Sequence, residues 1–278
     1  MEIDIALILR ELYDAEEAEN RYDDAAASLL FDPPIFAVAD AVDPWFEKLK
    51  TVIGPWHWTP AEAFRLAGIA RAPARVIVWS LPIAETPRRT SRGETLLPSR
   101  EWAYARTNSD PIMRRMTQRI EGRLRALGHA ALGPAQAGLK PPAAHPPLNT
   151  CWSQRHVGFV AGLGTFGISG GLITRRGIAQ RMGSVVTDAP VAATPRAYGD
   201  DPFAWCLMSA RGTCGACIAR CPVGSVGRSA AERNRQACAD HRETVRAHAV
   251  ERYGWMSEHY GCGLCQTGVP CETRNPTE

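Results

Sequence analysis

Apolar residues recur at helical spacing in two stretches of this chain and run together in two others. Ile5, Ile8, Leu9, Leu12 and Tyr13 fall on one stripe, and the first thirty residues hold neither proline nor glycine. A helix is predicted there, broken by Asp32-Pro33-Pro34. The clearest stripe is Ile112, Met116, Ile120, Leu124 and Leu127. Ser109-Asp110-Pro111 reads as its start and Gly128 as its stop. Thr59-Pro60 reads as an N-cap and first helical position for a short helix near residues 61–70. Residues 74–81, A-R-V-I-V-W-S-L, run apolar up to Pro82 and suit a buried strand. Residues 183–188 are a second strand candidate, and residues 229–252 are helix-like. Residues 88–98 read as a polar, basic loop, 133–147 as an extended connection and 190–201 as a linker.

Composition narrows the class. At 278 residues, one large or two smaller domains are expected, and 45% hydrophobic residues exclude wholesale disorder. A net charge of +3 gives no electrostatic case for a nucleic-acid partner. No run of eighteen apolar residues exists, so no membrane span is expected. The sequence opens Met1-Glu2-Ile3-Asp4 without a basic leader, so a cytoplasmic location is expected.

The cysteines carry the chemistry. There are nine, and eight lie between Cys206 and Cys271, with Cys151 alone outside. Disulfides crowd in this way in small secreted domains, which this chain does not resemble, so ligation is the better reading. Cys214-Gly-Ala-Cys217 followed by Cys221-Pro222 is C-x2-C-x3-C-P, the latter part of the bacterial ferredoxin run. Arg211 stands where the first cysteine of that run would be, and Cys206 is its substitute if the intervening loop folds back. Eight thiolates make two sets of four, the requirement of two 4Fe-4S clusters. The cysteine before the proline in such runs ligates the other cluster. Cys206, Cys214, Cys217 and Cys271 are therefore assigned to one cluster, and Cys221, Cys238, Cys262 and Cys265 to the second. Structural zinc, which also uses C-x2-C pairs, is the alternative.

Gly162-Leu-Gly164-Thr-Phe-Gly167 matches G-x-G-x-x-G. A dinucleotide site needs a strand before this motif, a helix after it and an acid about twenty residues on. Residues 155–160 could be a strand or the end of a helix, Ile168-Ser-Gly-Gly171 is a poor helix start, and Asp188 lies too late. Five glycines within residues 162–171 would let backbone approach something flat or anionic, or else form a tight turn in a packed domain.

Residues 153–174, S-Q-R-H-V-G-F-V-A-G-L-G-T-F-G-I-S-G-G-L-I-T, together with G-S-V-V-T-D at 183–188, resemble the core motif of epoxyqueuosine reductases. Reductive dehalogenases share that architecture more distantly. The cysteine order fits the same group, as do the strand ending at Pro82 and the Tyr104-Ala105-Arg106 step. The resemblance implies an α+β fold: a nitroreductase-like domain at 74–200 that cradles cobalamin, then a ferredoxin-like dicluster domain at 201–278. Residues 1–73 would be an N-terminal helical extension of the first domain, capping it or forming a homodimer contact. An external low-potential donor of ferredoxin or flavodoxin type would feed the clusters, and reduced cobalt would act on an electrophilic substrate. Gly162, Gly164, Thr165, Gly167, Gly170 and Gly171 would lie against the corrin. Tyr104, Arg155 and His156, with Arg106 beside the first motif, are the candidates for substrate chemistry and proton delivery. Residues 147–152, P-L-N-T-C-W, lack the acid these reductases carry there, G-x-D-Y-H does not follow Arg106, and no helical-repeat extension follows Cys271. A small electrophilic molecule is therefore expected as substrate in preference to tRNA. The alternatives are a dicluster electron carrier or corrinoid-reducing activase, and a tRNA epoxyqueuosine reductase.

Overall fold

The computed structural model describes residues 3–23, 27–143, 145–255 and 260–278. In chain order the described elements are α1 (Ile5–Asp14), β1 (Ile35–Asp40), α2 (Trp45–Val52), α3 (Pro60–Leu66), β2 (Arg75–Pro82), α4 (Glu85–Arg92), α5 (Arg100–Ala126) and β3 (Ala131–Leu132). Then come α6 (Gln154–Val160), β4 (Gly164–Phe166), β5 (Leu172–Thr174), β6 (Gln180–Thr187), α7 (Leu207–Arg211), α8 (Ala216–Ala219), α9 (Arg235–Tyr253) and a 3-10 turn at Leu264–Gln266.

The architecture is mixed α/β around a small antiparallel sheet in the order β1-β2-β6-β3, with β4 and β5 as a separate hairpin. Strand β2 is the axis of the sheet. Its Ile77, Trp79 and Leu81 enter one core with residues of α1 and α5, and Val76 and Val78 enter another with residues of α2, α3 and α6. Both faces are covered, which is why this antiparallel strand reads as a continuous apolar run rather than an alternation. Gly183 of β6 sits opposite Trp79, and a Cβ there would stand 2.3 Å from the indole.

Three predicted boundaries move. The first helix ends at Asp14 and not at Asp32-Pro33-Pro34, because the chain turns after Asp14 and the Asn20 side chain bonds both the amide and the carbonyl of Phe31. The long helix does not start at Ser109-Asp110-Pro111. Ser99 caps it by accepting from the Trp102 amide, and α5 runs through Pro111. A proline inside a helix forfeits one backbone hydrogen bond. Here Trp102, Ala105, Ser109, Ile112 and Met116 are buried on both sides of it, so packing along the sheet holds the two halves in line. The start of the polar stretch at 88–98 is not a loop, because Glu85–Arg92 forms α4. Ion pairs of Glu85 with Arg88 and Arg92, each 3.0 Å, support this helix where apolar periodicity does not.

Other expectations stand with small shifts. Thr59 and Glu62 form a reciprocal capping box at α3, and Gly128 follows α5 with φ +86°. The linker at 190–201 forms no regular element, yet Thr194 bonds β1 twice, donating its amide to the Val38 carbonyl (2.8 Å) and accepting from the Val38 amide (3.0 Å).

The cysteine-rich segment folds on a third apolar cluster. Ile168, Ile173 and Ile178 from the β4–β5 region pack there with Trp205, Cys206, Val226 and Val269. The last residues return to the sheet domain: the Ile178 amide donates to the Cys271 carbonyl at 2.8 Å. Glu272, 7% exposed in its side chain, accepts from Arg88, Arg92 and the Gly268 amide. Arg220, between Cys217 and Cys221, donates to the carbonyls of Ser91, Arg92, Glu94, Leu264 and Thr267. One guanidinium thus joins α4 and its following loop to the cysteine loops.

Candidate metal centres and the adjoining site

No disulfide joins any of the nine cysteines. Short elements separated by tight turns bring eight of them inward. Cys206 is the N-cap of α7, Cys217 lies within α8, Cys238 lies on α9, and Cys262 and Cys265 flank Gly263. Gly263 has φ +71°, and a Cβ there would stand 2.1 Å from the Trp102 ring, so the C-x2-C loop can lie against α5 only as glycine.

The thiols divide into two groups by the charges they feel. Burial first, then Cys217, Cys206 and Cys214, push the Cys271 thiol up to about 12. Burial, Cys206 and Cys214 raise Cys217 to about 11. Burial raises Cys262 to about 11, with Cys238 and Cys221 adding to it. Burial, Cys262 and Cys238 raise Cys265 to about 12, and Cys217 of the first group acts on it as well. Cys217 and Cys265 are therefore the link between the groups. Backbone amides are aimed at the sulfurs: Ser225 N donates to Cys221 Sγ at 3.2 Å, and the Ile218 and Leu264 amides reach Cys217 and Cys262.

Buried thiols with raised proton affinity become thiolates only against a compensating cation. The first group rings a hollow of about 380 Å³, open mouth included, walled by Ile168, Ile173, Ile178, Met208 and Val269. Four sulfurs around an apolar hollow, with amide donors beside them, fit a cluster in its chemistry. Among the described residues, no three His, Cys, Asp or Glu side chains crowd together as a single-ion site requires. Cys151 lies apart, buried in the second core, its thiol raised by burial.

The glycine-rich segment has the reverse of the dinucleotide order, with helix α6 before it, strand β4 within it and strand β5 after it. Its close approaches are made within the protein. A Cβ at Gly162 would stand 3.1 Å from the Pro195 carbonyl oxygen, at Gly164 2.0 Å from that of Ile173, and at Gly171 2.6 Å from Ile178. At Gly170 it would stand 2.2 Å from Arg233 Nη1. Gly167 closes the turn by donating to the Gly171 carbonyl at 2.9 Å. Thr165, fully buried, accepts from the Trp205 amide at 2.9 Å. These residues join the hairpin to the cysteine module.

Arg155 and His156 lie on α6, with Arg233, Arg235 and Arg242 of the α9 region close to Arg155. Arg155 keeps an exposed side chain although it is set deep among neighbouring atoms, the signature of a group lining a concavity, and it donates to the Gly170 carbonyl at 2.5 Å. Burial, then the charges of Arg233, Arg181, Arg235 and Arg242, lower it to about 10. Arg106 on α5 is lowered to about 9 by burial and the Arg181 charge. Arg106 and Arg181 share one carboxylate oxygen of Asp110, at 3.2 and 3.0 Å. His156 exchanges a hydrogen bond with Ser153 Oγ at 2.7 Å, and burial with the Arg155 charge lowers it to about 3. It is therefore a neutral imidazole near pH 7. Tyr104 is not with this pair: its ring packs edge-on against Tyr22 and Trp255. The sequence pattern picked out neither Arg181, Arg233, Arg235 and Arg242 nor His57, because no local motif joins positions so far apart.

His57 supports the start of α6. It is fully buried, accepts from the Ser153 amide at 3.1 Å and stacks on Trp152. Burial lowers it to about 4. Both imidazoles stay neutral in the fold, whereas unfolded ones gain a proton near pH 6.5. Stability should therefore be full above pH 6.5 and fall as pH drops toward 4. Unfolding free energies from urea titrations at pH 7 and pH 5 should differ by about 2 kcal/mol for each histidine, and His57→Gln should flatten that slope.

No family model matches this chain, and no curated protein sequence matches it. Solved structures do. The epoxyqueuosine reductase from Streptococcus thermophilus aligns with a TM-score of 0.52 at 13% identity, over 97% of this chain and 66% of that one. The N-terminally tagged catabolic reductive dehalogenase NpRdhA aligns with a TM-score of 0.54 at 14% identity, over 97% of this chain and 37% of that one. The chain has the fold of these reductases. The epoxyqueuosine reductase from Bacillus subtilis, at 15% identity, gives a TM-score of 0.50. This chain spans about two thirds of the length of the epoxyqueuosine reductases and under two fifths of the dehalogenase.

Proposed function

We propose that this chain is an iron–sulfur reductase that holds two 4Fe-4S clusters beside a corrinoid and acts on a small electrophilic substrate. The observation that carries the reading is the convergence of the thiols: Cys206, Cys214, Cys217 and Cys271 line one apolar hollow, and Cys262 and Cys265 lie near Cys221 and Cys238. Those two sets would be the cluster ligands. Clusters at these positions would supply one-electron carriers. On this reading residues 74–200 are the nitroreductase-like part and residues 201–278 the ferredoxin-like part.

The hollow at α6 fits a corrinoid in its donor set. The buried N–H groups of Gln154 Nε2, Arg181 Nε and Arg233 Nε have no acceptor among the described residues, and a group rich in amide and phosphate oxygens would supply them. Bound there, a corrinoid would supply low-valent cobalt as the reductant. This chain's residues would then orient the reactants. Arg155 would bind and align, Ser153 would fix the His156 ring, and the hairpin would exclude water. His156 could donate only its neutral N–H, so the acid is sought elsewhere on the hollow. Tyr104 takes no part in this scheme.

Likeness to epoxyqueuosine reductases supports a tRNA substrate equally, and an electron carrier or activase is the remaining reading. Hydroxocobalamin mixed with the anaerobically purified chain is expected to co-elute near one per chain on gel filtration. A brown protein that sheds the red cofactor would favour the carrier. Shift of a tRNA stem-loop at physiological salt would favour the tRNA reading.

A further inference from the structure

The hollow beside the second cysteine group carries more positive charge than its surroundings answer. Arg106 from α5 and Arg181 from β6 meet on Asp110, Arg155 from α6 and Arg233 just before α9 meet at Gly170, and the charges of Arg181, Arg233, Arg235 and Arg242 bear on Arg155. The carboxylate of Asp110 is shared by two of them. Among the described residues Arg155 has only the Gly170 carbonyl as a hydrogen-bond partner, and Arg235 donates to the Leu148 carbonyl. Arg181 and Arg233 each keep a buried Nε–H with no acceptor among the described residues. Like charges gathered in a concave, partly desolvated site repel, and a bound anion relieves both the repulsion and the orphaned donors.

The site also adjoins the thiols. Arg106 packs beside Gly261, next to Cys262, and Arg233 Nη2 lies 3.9 Å from Cys238 Sγ. Guanidinium forks suit carboxylate and phosphate oxygens and offer nothing to a neutral haloalkane or an aromatic ring edge. We propose that this hollow is an anion-binding site, with Arg155 and Arg181 as its principal ligands, and that the molecule acted on carries a carboxylate or phosphate held there. The inference rests on the reductase reading only in calling that molecule a substrate. A phosphate on a corrinoid tail would present the same chemistry, so the test separates the two sources.

The test uses the anaerobically purified full chain, with calorimetric titrations of benzoate, benzamide and inorganic phosphate at fixed ionic strength. Benzoate or phosphate should bind, and neutral benzamide should bind about tenfold more weakly or worse. Arg155→Gln and Arg181→Gln should each weaken benzoate about tenfold or more, while Arg155→Lys keeps part of the affinity. Arg246→Gln, at a surface arginine paired with Glu243, should change nothing. Because Arg155 sits among like charges, Arg155→Gln should hold or raise the thermal midpoint of the unliganded chain, which a merely structural arginine would not do. Equal binding of benzoate and benzamide, no binding of either anion, or unchanged affinity in both glutamine variants would overturn the proposal. If Arg155→Gln abolishes a preference for hydroxocobalamin over cobinamide, which lacks the tail phosphate, the anion belongs to the cofactor. If benzoate still binds with hydroxocobalamin in place, it belongs to the substrate. Iron measured on the same samples keeps the two readings apart: a chain that binds benzoate and holds no iron upholds the anion site and sinks the iron–sulfur assignment.

Discussion

Cys265→Ala is expected to lower bound iron from about eight to about four atoms per chain. Cys265 feels Cys262 and Cys238 of its own group most directly and is the member that Cys217 of the other group reaches. Removing it leaves three ligands at one centre and four at the other, so loss should stop at half. The remaining cluster should keep its reduced-state resonance while the magnetic coupling between clusters disappears. Cys151→Ala is the control, since that thiol lies in the second core away from both groups, and it should retain all the iron. If Cys265→Ala keeps its full iron, the division of the cysteines is wrong.

Glu272→Gln is expected to destabilise the chain by about 2–4 kcal/mol in urea. Arg92 Nη2 and Arg88 Nη1 approach the carboxylate at 2.6 and 3.2 Å, and the Gly268 amide donates to it at 2.7 Å. Burial works to raise this carboxyl, but the Arg92 and Gly268 hydrogen bonds and the two arginine charges outweigh it and hold it below the usual carboxylate range. Glutamine keeps the shape and loses the charge, leaving Arg88, 10% exposed, with the Ile83 carbonyl and the carboxylate of Glu85. Arg92 is 39% exposed and rehydrates, so the loss should stay below that of a fully buried pair. Glu272 follows Cys271 in the chain, and its contacts seat the C-terminal segment on α4. The variant should therefore also release iron faster to a chelator, and unchanged release would mean that α4 and the cysteine loops are held independently.

Part of this was legible in the sequence, for local reasons. The buried strand at β2 announced itself because both faces are covered, and the α3 cap because Thr59, Pro60 and Glu62 stand at fixed offsets. The C-x2-C and C-P spacing marked the cysteine-rich segment as the candidate site, because such spacing is itself a ligand constraint. The start of α5 was not, since Asp110-Pro111 mimics an N-terminus and only packing against the sheet carries the helix through it. Helix α4 was hidden because ion pairs rather than an apolar stripe support it. The glycine segment read either as a loop approaching a ligand or as a tight turn, and the contacts its glycines relieve with Pro195, Ile173, Ile178 and Arg233 arise only once the chain is folded. The arginine hollow joins residues from position 106 to position 242, and no window of sequence brings them together.

Iron, zinc and acid-labile sulfide in the anaerobically purified chain test the central claim most directly. The account predicts about eight irons and about eight sulfides per chain, with little zinc. One or two zinc ions per chain, with neither iron nor sulfide, would contradict it.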